Sequence, residues 1–91
     1  MPYITNEQRD VLDDTIKRLS LSLLSTKNTD EKKLDGELNY VICSLISNLY
    51  DRNYFSLNRV MGVLTCVQLE VYRRVIAPYE DKKSIDNGDV F

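Results

Sequence analysis

The chain has 91 residues, 43% apolar and 29% charged, with a net charge of −2 at pH 7. That length fits one domain, residues 1–91, with a thin core, because a chain of this size buries only about 60–65% of its unfolded surface. The composition excludes a disordered chain, and the acidic balance excludes general nucleic-acid binding, which needs a basic excess to release counterions.

In chain order, the first element is a helix over about residues 5–25. Thr5 and Gln8 have capping-box spacing, and Ile4 is placed to pack back on the first turn. Leu12, Ile16, Leu19 and Leu23 recur at helical period on one face. Residues 26–35 are polar and charged and are followed by Gly36, which predicts a mobile loop. A second helix is expected over about 36–50, with Leu38, Val41, Ile42, Leu45, Ile46 and Leu49 on a broad apolar face.

The third helix, about 56–77, is the longest. Ser56 is its predicted cap and Pro78 its predicted stop, because proline disfavours a helical residue before it. Leu57, Val60, Val63, Leu64, Val67, Val71 and Val75 make the main apolar face. Met61, Cys66, Leu69, Tyr72 and Ile76 carry apolar surface to other sides. A helix apolar nearly all round is central or at an interface. Two partner helices from one chain can hardly cover it, so homo-oligomerisation through this helix is expected. Gly62 costs mid-helix about 1 kcal/mol against alanine. It is either a point of close helix approach or a tolerated surface glycine. Residues 78–91 are expected to form an extended C-terminal arm, turning at Asn87-Gly88 and docking Val90 and Phe91. The fold class expected is all-α: three helices and an arm.

Histidine is absent, which removes Ser–His and Cys–His catalysis and the commonest metal ligand. Glu7, Asp10 and Asp13 have the i, i+3 spacing of acids that hold magnesium in helical nucleotide pyrophosphohydrolases. No matching pair occurs on the other helices. No catalytic residue, metal or cofactor is therefore expected, and metal-dependent nucleotide hydrolysis is the weakest reading. Cys43 and Cys66 lie in apolar stretches and are expected to be buried thiols. No apolar run approaches the ~20 residues of a membrane span, so a cytosolic protein is expected.

The candidate site gathers near the end of the third helix. Arg73 and Arg74 offer forked donors suited to phosphate, Tyr72 and Tyr79 flank them, and Lys82 and Asn87 follow. Arg9 on the first helix and Asn39 and Tyr40 in the second are further candidates. Aromatic faces beside cations suit a nucleobase with its phosphate. A purely local reading stands beside this one: Glu70 is spaced to pair with Arg73 or Arg74, and cations favour a helix C-terminus.

The start MPYIT, the segment GELNYVI and the end GVLTCVQLEVYRRVIAPYEDKKSIDNGDVF resemble a family of short uncharacterised tailed-bacteriophage proteins. Its members open with MPYI, carry GxLNYxI and close with VLECxKLExYRRxxAPYEDxKxxxNGDVY. The resemblance covers nearly the whole chain except the 24–35 segment. This chain departs at Thr65 and Gln68, where the family has Glu and Lys, and at Phe91, where it has Tyr. The resemblance implies a phage protein acting in the host bacterial cytoplasm. By analogy with other small phage inhibitors, the expected function is sequestration of a nucleotide-like signal of host immunity at a subunit interface. The alternative is a protein–protein module that binds a host enzyme or aids virion assembly.

Overall fold

The first helix begins where its capping chemistry places it. In a computed structural model that describes residues 2–91, Thr5 is extended, its hydroxyl accepts from the Gln8 amide at 3.2 Å, and Gln8 Oε1 accepts from the Thr5 amide at 2.9 Å. This reciprocal pair satisfies two amide donors that a helix start leaves open. Helix α1 then runs over Asn6–Thr29 and α2 over Glu31–Leu49.

Residues 26–35 do not form the expected loop. Asp30 alone separates the two helices, and it caps both. Its backbone N–H donates to the Thr26 carbonyl at 2.8 Å, and its carboxylate accepts from the Lys32 amide at 3.0 Å. The physical reason lies in residue type: Glu31, Lys32 and Lys33 are good helix formers, and no proline intervenes. Polarity there reports exposure rather than irregular backbone. Leu23 and Thr26 of α1, and Leu34, Glu37, Val41, Ser44 and Ile46 of α2, are half-buried. The first four α2 positions recur at i, i+3, i+7 and i+10, the seam of two packed helices. Thr26 Oγ1 donates to Glu37 Oε1 across the hairpin at 2.7 Å.

The rest of the chain follows one continuous helical path: α3 over Tyr54–Val71, a π turn over Tyr72–Ile76, and α4 over Ala77–Asn87. The helix starts before Ser56, which is buried in the first turn instead of capping it. Arg59 lies over the Phe55 ring, 5.5 Å from its centroid. Pro78 does not stop the helix. Proline lacks an N–H, and its ring presses on the carbonyl four residues back. The chain widens instead: the Ala77 amide donates to the Tyr72 carbonyl, five residues back. Val71, Ile76 and Ala77 all keep right-handed helical angles, so the path continues through Pro78.

The expected C-terminal arm is therefore helix as far as Asn87, and only residues 88–91 lack regular structure. Gly88, with φ of 89°, is the C-terminal cap, and no non-glycine residue among those described has positive φ. The Asn-Gly pair ends a helix rather than turning a hairpin. Val90 and Phe91 are not docked; Phe91 is 113% exposed relative to its reference.

The chain divides into two compact units: Tyr3–Asn53, the helical hairpin, and Pro2 with Tyr54–Phe91. Among the described residues only Ser56 and Val60 are buried, Val60 at 6% exposure. Cys43 and Cys66, expected to be buried, are exposed free thiols, because the apolar stretches that carry them are themselves uncovered. No helix among the described residues is long and apolar enough to cross a membrane.

The π turn yields a direct prediction. Pro78→Ala restores the missing donor, so residues 72–76 should tighten to α geometry. Amide and carbonyl chemical shifts should move to α-helical values there. The thermal midpoint should rise by several degrees, the sign expected when proline leaves a helix interior. An unchanged π signature in the variant would mean that another contact holds the turn open.

Candidate functional site

The candidate residues fall into two sets, one in each unit. Tyr72, Arg73, Arg74, Tyr79, Lys82 and Asn87 lie on the π turn and α4, while Arg9, Asn39 and Tyr40 lie on the hairpin.

On the π turn the two arginines differ. Arg73 is held by Glu70, with one guanidinium nitrogen donating to both carboxylate oxygens at 3.0 and 3.1 Å. Glu70 sits three residues earlier, so this pair is the local one the spacing foretold. Arg74 makes no ion pair among the described residues. It is the arginine left open to an external anion.

The Tyr72 hydroxyl has its pKa raised above the ordinary 10.0. The main cause is its hydrogen bond to the Glu80 carboxylate, with the charges of Glu80 and Asp81 and slight desolvation adding to it. An acceptor that is already anionic disfavours a phenolate beside it. The two residues are eight apart. In a plain α-helix that spacing turns the second residue roughly 80° away from the first. The π turn takes up one residue, so the pair behaves as if seven apart and nearly aligned. The sign follows: the contact is present while the phenol is protonated and is lost as pH rises through the raised value. Ultraviolet titration at 295 nm should show a tyrosine component that ionises above the ordinary 10.0, and Glu80→Gln should lower it. A titration curve that Glu80→Gln leaves unchanged would refute the contact.

Sequence reasoning selected Lys82, but Lys83 is the lysine that meets an aromatic ring. Its ammonium lies 5.7 Å from the Tyr79 ring centroid. The i, i+4 spacing from Tyr79 to Lys83 was the available signal. Glu80 was also missed as a site residue, since its role depends on the π turn. Asn87 ends α4, about 20 Å along the helix from Arg74 at 1.5 Å per residue. It does not fold back to close over the arginines. Near it, Glu80, Lys83, Ser84 and Asn87 border a shallow pocket with residues 88–91.

In the hairpin, α2 begins at Glu31, which places Asn39 and Tyr40 in its middle rather than in its first turns. Asn39 Oδ1 accepts from Cys43 Sγ at 3.4 Å. Tyr40 is exposed, and Arg9 lies in the first turn of α1, where its amide donates to the Thr5 carbonyl at 3.0 Å. Among the described residues no three acids or thiols converge to hold a metal. The arrangement on the π turn and α4 offers an uncommitted guanidinium, two exposed phenol rings and a lysine against one of them. That is binding chemistry for an anion with an aromatic or planar part.

No curated protein matches this chain, and no solved structure does. A family model described as a domain of unknown function, DUF6899, matches residues 1–90, and the chain belongs to that family.

Proposed function

We propose that this protein works by binding rather than turnover, and that its ligand is a small nucleotide-like anion held along the π turn and α4. The observation that carries this reading is the contrast between the arginines: Arg73 is committed to Glu70, whereas Arg74, which lies in sequence between exposed Tyr72 and Tyr79, makes no ion pair among the described residues. Arg74 would grip phosphate, Tyr72 or Tyr79 would stack on a base, and Lys83 would add charge beside Tyr79. The resemblance to short tailed-phage proteins supports a setting in the host bacterial cytoplasm. There, such a protein would sequester a nucleotide signal of host immunity. Isothermal titration against cyclic di- and trinucleotides and ADP-ribose derivatives tests the reading. Micromolar or tighter binding by one class supports it, and no heat from any of them at tens of micromolar overturns it.

A protein–protein role is the second reading, favoured by the many large apolar side chains left exposed on both units. A stoichiometric host protein recovered from lysate, retained by Arg74→Ala and lost on mutating an exposed apolar face, would favour it over the first.

A further inference from the structure

Asn87 ends α4 and Gly88 caps it, and both residues are exposed. The caps of α1 and α2 are tied back to their helices: the Asp30 and Tyr50 amides donate to the Thr26 and Ile46 carbonyls at 2.8 and 3.0 Å. The Gly88 amide makes no such bond within ordinary hydrogen-bond geometry. The Asn87 side chain makes no hydrogen bond among the described residues. Nothing lies within 4 Å of the place where a Cβ on Gly88 would stand. In residues 89–91 the hydrogen bond is internal, from the Phe91 amide to the Asp89 carboxylate at 3.0 Å, and Val90 and Phe91 stand in solvent.

We propose that this junction is a site of spontaneous covalent modification, at which Asn87 loses its side-chain amide by cyclising onto the Gly88 nitrogen. A base takes the Gly88 amide proton, and the nitrogen bonds to Asn87 Cγ. The bond from Cγ to the side-chain nitrogen breaks, and that NH2 leaves with a proton as ammonia. The product is a five-membered succinimide. Water opens it at either ring carbonyl, giving aspartate or, with the main chain rerouted through the side chain, isoaspartate. The net change is amide plus water to carboxylic acid plus ammonia, so no oxidant or reductant is needed.

Ring closure requires rotation about the Cα–C bond of Asn87, because helical angles hold the Gly88 nitrogen away from Cγ. That rotation swings residues 88–91 alone, which lack regular structure and leave Val90 and Phe91 uncovered. Asp35-Gly36 could close the same ring with loss of water, but it lies inside α2, and the rotation would break a helix that runs on to Leu49. Every other asparagine precedes a residue whose side chain crowds the attacking nitrogen: Glu7, Thr29, Tyr40, Leu49, Tyr54 or Arg59. Either product places a negative charge at the C-terminal end of α4, where the helix dipole disfavours it, so the last turn should fray as the protein ages.

This inference does not rest on the anion site. Mass spectrometry of acid-protease peptides tests it, on the full chain aged for days at mildly alkaline pH and 37 °C. Asn87 should gain the mass that exchanging NH2 for OH gives, at least about tenfold faster than any other asparagine, since glycine alone leaves the nitrogen uncrowded. The aged chain should also accept methyl groups from a protein isoaspartate methyltransferase. Asn87→Gln, which would have to close a six-membered ring, should lose most of that acceptance. An intact Asn87 in the aged chain, beside a urea-unfolded sample that converts, overturns the inference. So does modification of Asp35 or another asparagine at an equal rate, or methyl acceptance that Asn87→Gln leaves unchanged.

Discussion

Val60→Asp should abolish cooperative folding. Val60 is the one large apolar side chain among the described residues that is buried, at 6% exposure. An aspartate there would be a charge taken out of water with no partner, which costs several kcal/mol even after relaxation. A domain of this size holds only about 5–15 kcal/mol in total, so that loss removes most or all of it. Circular dichroism at 222 nm should show a broad, low-temperature melt or none. Val90→Asp is the matched control. Val90 is exposed, so the same change should shift stability by no more than about 0.5 kcal/mol. If both variants melt like the native chain, the side of α3 that carries Val60 does not hold the fold together.

Arg74→Ala should weaken anion binding roughly 10- to 150-fold. Hydrogen bonds to charged groups are worth about 1.5–3 kcal/mol, and each 1.4 kcal/mol is a factor of ten. Arg73→Ala should cost less. Its guanidinium already serves Glu70 at 3.0 Å, and an exposed pair of that kind is worth at most about 1 kcal/mol. The order of the two variants is the informative result, because both are arginine-to-alanine changes one residue apart. An equal or reversed order would show that Arg74 is not the group that meets the anion. The affinity should also fall as salt rises, since exposed charges are screened.

How far these features were legible in the sequence depends on the range of the interaction that sets each one. The Thr5–Gln8 capping box is settled within four residues, and the sequence showed it directly. The Glu70–Arg73 pair is equally local. Over residues 26–35 polarity signals exposure rather than irregular backbone, since Glu31 to Lys33 favour helix and Asp30 caps on both sides. At Pro78 the missing N–H predicts a break, but a π turn accommodates it and the helix goes on to Asn87. That turn also determines which residues share a side: Tyr72 and Glu80, eight apart, come close to alignment once the wider turn absorbs one residue, a choice no spacing rule reads from the chain. Cys43 and Cys66 were expected inside because their neighbours are apolar, and they are outside because those neighbours are uncovered.

Sequestration of a nucleotide-like anion, as proposed, implies that the ligand survives gentle purification of the protein from bacterial cells. Native mass spectrometry should then show a retained adduct of nucleotide mass that is released on denaturation and absent from Arg74→Ala. Bare protein at every charge state, in both the native chain and the variant, would contradict it.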